Sequence, residues 1–246
     1  MKKFLWIASI IYAAFVVDDS LAGLVPYEAS GEALVYSTSQ NLTYVGNVDL
    51  FRVQSEAYSG PYLSLVDEII DKVGSVEGVA LTHTHFAPSE GTMRWYGAAA
   101  WVQWLNMQQY AGSTAWRLWH ADPDCGGRPS SGVHECPDGE LGYLYYIEGK
   151  LVGTTYATPR PDLGQGWTAD PPGVLPRYFS GLRLVIGFWA ENKADAYTNT
   201  RWMINSGGQQ LAYNYTSPSI SNFFNAWPVQ EGALGSEVPI FRDGFD

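Results

Sequence analysis

Gly91-Thr92-Met93-Arg94-Trp95-Tyr96-Gly97-Ala98-Ala99-Ala100-Trp101-Val102-Gln103-Trp104-Leu105 is the stretch on which the fold class turns. Trp95, Ala98, Val102 and Leu105 recur at helical spacing with Trp101 beside them, Thr92 is a candidate N-cap, and Gly112 follows the end. Upstream, a second helical pattern runs over Leu63, Val66, Ile69, Ile70 and Val73, with Pro61 suited to its first turn and Gly74 as its stop. Between the two, Gly74 to Glu90 shows no period and reads as a loop or a short extended excursion.

Strand signals lie outside these helices. Ala33-Leu34-Val35-Tyr36 and Leu42-Thr43-Tyr44-Val45 flank a turn at Ser37 to Asn41, the pattern of a hairpin. Asp138 or Gly139 is placed to cap a short third helix presenting Leu141, Leu144 and Tyr145, with Gly149 just past its end. Gly153 to Pro176 is rich in Pro and Gly, a long surface loop. Four apolar runs follow, at Leu182 to Trp189, Arg201 to Ile204, Gln210 to Tyr215 and Ala226 to Val229, with Gly207-Gly208 as a hairpin turn. Helices in the first half and a small sheet completed from both ends predict an α+β domain.

The N-terminus carries a different signal. Lys2 and Lys3 precede an apolar run from Phe4 to Val17, and Ser20-Leu21-Ala22 ends it with small residues at the positions a signal peptidase reads. The run is shorter than the ~20 apolar residues of a spanning helix. The expected boundaries are a leader over 1–22 cleaved after Ala22, one domain over 23–232, and a tail over 233–246. Secretion or a periplasmic location follows, with no membrane insertion once the leader is gone. In an oxidising compartment Cys125 and Cys136, the only cysteines, read as a disulfide closing a loop.

The formal net charge of −11 is unchanged by cleavage, because Lys2, Lys3, Asp18 and Asp19 leave together. Nucleic acid and anionic membrane surfaces want a basic face, so both are poor partners. Charged residues make up only 16% of the chain while Trp and Tyr number 10 and 16, so the surface is polar through amides, hydroxyls and phenols.

An ordered series of short pieces carries a resemblance. Leu34-Val35-Tyr36, Asn41-Leu42-Thr43, Asp49-Leu50-Phe51, Gly91 to Trp95, Ala100-Trp101-Val102, Tyr110-Ala111-Gly112, Trp116-Arg117-Leu118, Glu140 to Tyr146, Tyr178-Phe179-Ser180 and Ala226 to Val229 together resemble the Lcl C-terminal-like family of exported bacterial domains. The resemblance implies a C-type-lectin-like fold, in which helices flank a small twisted antiparallel sheet and long loops cover one side. Trp119-His120 stands where that family continues with Pro, and Gln230-Glu231 where it has Arg-Pro. Val238-Pro239 is present without the sorting tail that follows it in many relatives, which fits free secretion rather than anchoring.

Motifs for chemistry are sparse. No nucleophile elbow, zinc-protease motif, phosphate loop or dinucleotide fingerprint appears. His83-Thr84-His85 would aim two imidazoles the same way in an extended segment, as a metal site uses, but no third ligand has diagnostic spacing and loop histidines are the favoured reading. His120 and His134 flank the cysteine loop and read as surface polar groups. Glu191, Asn192, Asp195 and Asn205 are candidate calcium ligands, oxygen donors in the sector where a lectin-like site falls. Trp95, Trp101, Trp116 and Trp227 read as core, whereas Trp119, Trp167, Trp189 and Trp202 are candidate ligand-binding aromatics near loops. The expected function is a binding or adhesion module for a glycan or protein, with recognition by the loops around Gly153 to Pro176 and Lys193 to Asn205. The alternatives are a self-associating structural component of an extracellular assembly and a hydrolase acting on polysaccharide or peptide.

Overall fold

A computed structural model of the chain describes residues 23–125, 136–149, 175–182, 187–194, 200–205, 207–214 and 222–235. The chain opens with three strands, β1 (Leu24–Ala29), β2 (Glu32–Ser37) and β3 (Leu42–Val45), followed by helices α1 (Leu50–Ala57) and α2 (Leu65–Val73). Two short hairpins come next, β4 (Ser75–Val76) with β5 (Val79–Ala80), then β6 (Phe86–Ala87) with β7 (Thr92–Met93). Helix α3 (Trp95–Met107) follows, then the short α4 (Glu140–Tyr143), which widens into a π turn over Leu144–Glu148. Strands β8 (Gly187–Lys193), β9 (Thr200–Asn205), β10 (Gln210–Asn214) and β11 (Val229–Glu231) complete the described elements. The α+β expectation is met: helices and several antiparallel sheets share one core.

Two sheets frame the molecule, with strand orders β1-β2-β3-β11 and β10-β9-β8. Every pair in both is antiparallel. The last strand closes the first sheet, Val229 opposite Tyr44 and Glu231 opposite Leu42, so the two ends of the described chain lie in one sheet. The segment Trp116–Ala121 stitches the sheets together: Arg117 bridges Val229 of β11, and Trp119 bridges Ala190 of β8.

Helix α3 lies at the centre of this frame. Eight of its thirteen residues are buried, so it is apolar on nearly every side. Gly97 lets it approach the chain beneath, since a Cβ there would stand 2.3 Å from the His85 carbonyl oxygen. Phe51 of α1 meets Trp101 edge-on at 5.6 Å, which joins the helices. Helix α2 is framed by its own caps: Ser64 Oγ accepts the Asp67 N–H (3.2 Å), and Gly74 at φ 72° returns its N–H to Ile70 O (2.9 Å).

Several boundaries differ from the sequence reading. Helix α2 starts at Leu65, so Leu63, expected on its apolar face, is 99% exposed. Thr92 belongs to β7, and Arg94 takes the N-cap position of α3 without a side-chain cap bond. Of the strand expected over Leu182 to Trp189, residues 183–186 lie outside the described ones and the described strand is Gly187–Lys193; the last strand runs over Val229–Glu231 rather than Ala226 to Val229. Strand β1 and helix α1 were not anticipated.

Candidate functional site

A polar cleft of ≈ 400 Å³ opens where the β2–β3 turn, the start of α4 and the end of β11 meet. Asn41, Arg117, Asp138, Glu140, Tyr143 and Glu231 supply its polar wall. Asn41 sits in the hairpin turn at φ 53°, a left-handed conformation that Asn tolerates better than most residues. Glu231 is the last residue of β11. Asp138, Glu140 and Tyr143 come from the α4 cap and first turn, and Gly139 at the N-cap fits only because it lacks a side chain: a Cβ would stand 2.9 Å from Asp122 N. The Cys125–Cys136 disulfide, Cα–Cα 5.7 Å, anchors this corner through Cys136, which is buried next to Pro137.

Arg117 and Glu140 organise the cleft. Two guanidinium nitrogens donate to the two carboxylate oxygens at 2.8 and 2.7 Å, the bidentate fork that suits arginine. The His120 backbone N–H adds a third bond to Glu140 Oε2 at 2.7 Å. A carboxylate with three donors orients its neighbours; it is not a free acid or base. The half-exposed His120 ring lies 3.5 Å from Glu191 Oε2, and its proximity, more than any other group's, holds the Glu191 carboxyl below the usual carboxylate range. The segment beyond is fixed to the second sheet by two side-chain amides: Asn192 exchanges bonds with the Ala121 N–H and C=O, both 2.9 Å, and Gln210 does the same with Asp122.

Behind the cleft lies a buried polar layer. Gln40 donates to the Tyr44 phenol (2.7 Å), which in turn reaches the Glu140 carbonyl (3.3 Å). Ser37 Oγ donates to Glu148 Oε1 at 2.7 Å. Burial pushes the Glu148 carboxyl above the ordinary carboxylate range, against the lowering effect of the Ser37, Gln40 and Ser39 side chains. Burial, and then the nearby Glu148, push the Tyr44 phenol well up as well.

The expected aromatic platform needs correction. Trp119 and Trp189 are 0% exposed and Trp202 is 4% exposed, so none offers a ring face to a ligand. Trp189 and Trp202 lie on β8 and β9 and Trp119 in the segment that bridges β8, where burying an indole removes more apolar surface than any other side chain does. Trp167 lies outside the described residues, as do Asp195, His134 and nearly all of the first loop expected to recognise ligand; of the second, 195–199 lie outside them, while Thr200–Asn205 is strand β9 and not loop.

The calcium candidates do not converge among the described residues. Asn192 Oδ1 is taken by Ala121 N, and Asn205 Oδ1 by the Gly207 and Gln209 amides (2.9 and 3.0 Å), where it shapes the β9–β10 turn. Among the described residues no three His, Cys, Asp or Glu side chains cluster as a metal would need. His83-Thr84-His85 forms a 3₁₀ turn rather than an extended segment. His83 Nε2 bonds Asp67 Oδ1 (2.8 Å), while His85 Nδ1 faces back to accept the Thr82 N–H (3.1 Å).

The cleft residues were not singled out in the sequence, although Arg117 and Glu140 both lie in the pieces that carry the family resemblance. The available signal was local: an arginine between buried Trp116 and Leu118, and an acid at the first position of a helix that starts after a glycine. No helix among the described residues is long and apolar enough to cross a membrane. Compared with protein-family models, with curated proteins and with solved structures, the chain finds no match.

Proposed function

We propose that the chain is an extracytoplasmic binding module that holds a polyhydroxylated ligand, a glycan, in the Arg117 cleft. The observation that carries this reading is the cleft wall itself. Carboxylate, amide and guanidinium groups stand beside the Tyr143 phenol on pieces of chain fixed by a disulfide, by the Arg117–Glu140 fork and by the pairing of β11 with β3. Sugar hydroxyls ask for such planar, bidentate acceptors and donors together with one aromatic edge, and prepaid rigidity is what converts those contacts into affinity. The leader pattern and the disulfide support the compartment.

A C-type-lectin-like architecture is consistent with the first sheet being closed by the last strand and with a separate three-stranded meander on which α3 packs. Gln230, where the resemblance implies arginine, is buried and accepts the Ser113 hydroxyl, so the guanidinium in this region comes from Arg117. A hydrolase is less favoured because Glu140 is already engaged by three donors.

The test is titration calorimetry of residues 23–246 against neutral, amino and acidic glycans, with calcium and with EDTA, each mixture then checked by mass spectrometry for cleavage. Binding that weakens at least about tenfold in Asn41→Ala or Tyr143→Ala, with melting unchanged, supports the reading. Binding untouched by both variants, or none across the panel, overturns it; a cleaved glycan moves the protein to the hydrolase class.

A further inference from the structure

On the expected cleavage after Ala22, the first residue of the mature chain is Gly23. Its carbonyl accepts the Thr38 N–H at 2.7 Å, and Leu24 to Ala29 pair without a break against β2. The sheet therefore begins one residue past the new terminus, which leaves no slack to carry that terminus into solvent. The surroundings there are acidic and tight. A Cβ on Gly23 would stand 2.6 Å from Ser39 Oγ and 2.7 Å from Glu148 Oε1. Standard bond lengths then put the Gly23 nitrogen within about 5 Å of that carboxylate oxygen.

Glu148 is an anomaly in its own right. It is 4% exposed, Oε1 takes one hydroxyl from Ser37, and Oε2 is buried without a hydrogen-bond partner. No Lys, Arg or His among the described residues stands at ion-pair distance from it. A carboxylate removed from water without a cation is strongly disfavoured, and folds keep one only where something neutralises it.

We propose that removal of the leader creates the missing cation: the α-ammonium of Gly23 pairs with the buried Glu148 carboxylate and completes the polar layer under the first sheet. The step is hydrolysis by a signal-peptidase-class protease. Water adds across the Ala22–Gly23 peptide bond, the new carboxylate leaves with the leader, and the Gly23 amine takes up a proton. While the leader is attached this nitrogen is an uncharged amide, so the layer stays incomplete until export. Glycine at the first mature position follows from the same geometry, because any side chain would displace the partner.

The proposal is independent of the cleft's ligand. N-terminal sequencing of the exported protein comes first, and a start at any residue other than Gly23 overturns it. Wild type and Glu148→Gln are then compared, each beginning at Gly23 or carrying Leu21-Ala22 ahead of it. The expected result is that the extension raises the unfolding constant of wild type about tenfold or more and leaves Glu148→Gln nearly unchanged. Equal effects on both, or none on either, overturn the pairing. If Glu148→Gln does not fold, the amine itself reports. An ion-paired α-ammonium titrates above its ordinary ~7.7–8.0, so acylation of Gly23 near neutral pH runs at least about tenfold slower than in the extended chain. Equal rates refute the ion pair.

Discussion

Glu140→Gln keeps the size of the side chain, removes its charge, and replaces one of the two oxygens that Arg117 grips with a donor. Both members of the pair are mostly out of water, with side-chain exposures of 19% for Arg117 and 18% for Glu140. Breaking a fully buried pair costs roughly 3–5 kcal/mol, because the surviving charge is left without compensation. With about a fifth of each side chain still wet, the expected loss is about 2–3 kcal/mol. For a domain of this size that lowers the melting temperature by roughly 5–10 °C. The variant also disturbs the bond from the His120 N–H to Glu140 Oε2 (2.7 Å). Urea unfolding of wild type, Glu140→Gln, Arg117→Met and the double variant isolates the pair. The double variant should recover part of the loss, since an apolar stem with no stranded charge replaces an unpaired guanidinium. A single-variant loss below about 0.5 kcal/mol, or simple additivity in the cycle, would mean that the fork does not hold α4 against the β11 edge, and the rigidity argued for the cleft fails with it.

Reduction of Cys125–Cys136, which closes a loop at a sequence separation of 11, should cost about 3 kcal/mol on the chain-entropy account; an unchanged denaturation midpoint under reductant would contradict it. His85 is held neutral, its pKa lowered by burial and then by Arg94, and its Nδ1 must stay unprotonated to accept the Thr82 N–H. A depressed folded-state pKa means that this contribution is intact above the free-imidazole value of ~6.5 and is lost as pH falls through the lower folded value; a titration midpoint at or above ~6.5 by NMR would rule this out. Trp189→Phe gives up a made indole bond to Met93 O (2.8 Å), whereas Trp119→Phe removes a buried Nε1–H that has no partner. The first should therefore cost about 1 kcal/mol more than the second in chemical denaturation, and the reverse order would refute the assignment.

Legibility in the sequence followed where the information is local. The β2–β3 hairpin, the Gly74 stop of α2, the Gly139 and Gly149 limits of α4 and the turn at Gly207-Gly208 are set by a few adjacent residues, and each was readable. Strand β1 was hidden because it follows closely on the apolar run at Phe4 to Val17 and carries Pro26, which an edge strand accommodates opposite Val35. Helix α1 buries only Leu50 and Phe51 of its eight residues, too few for a period to show. The start of α3 was misplaced for the opposite reason: a helix buried almost all round has no polar face to mark where its pattern begins. The cleft was not readable at all, because Arg117 and Glu140 lie 23 residues apart across a disulfide loop and no spacing rule brings them together.

The tryptophans show why composition alone misled the search for a ligand platform. A tryptophan near a loop signal suits either a sugar-facing ring or a core residue with its N–H satisfied, and sequence cannot separate the two. Here the second role dominates, and it does structural work that short strands cannot do alone. Trp95 at the head of α3 donates to Ala190 O of β8 (2.9 Å), while Trp189 of β8 donates back to Met93 O beside that same helix start (2.8 Å). The two bonds cross, so neither element can slide without breaking one of them. Trp227 repeats the device at the other sheet by donating to Val45 O of β3 (2.9 Å), and it packs edge-on against Phe179 at 4.8 Å. Arg201 adds a charged version, its guanidinium 3.8 Å above the Trp95 ring and ion-paired to Glu77 at 2.6 Å. With few charged residues to form surface networks and sheets of three and four short strands, large rings carrying one directional donor supply both the buried area and the register. The polar wall of the cleft stands apart from that aromatic framework, with Asn41, Asp138, Tyr143 and Glu231 beside the Arg117–Glu140 fork.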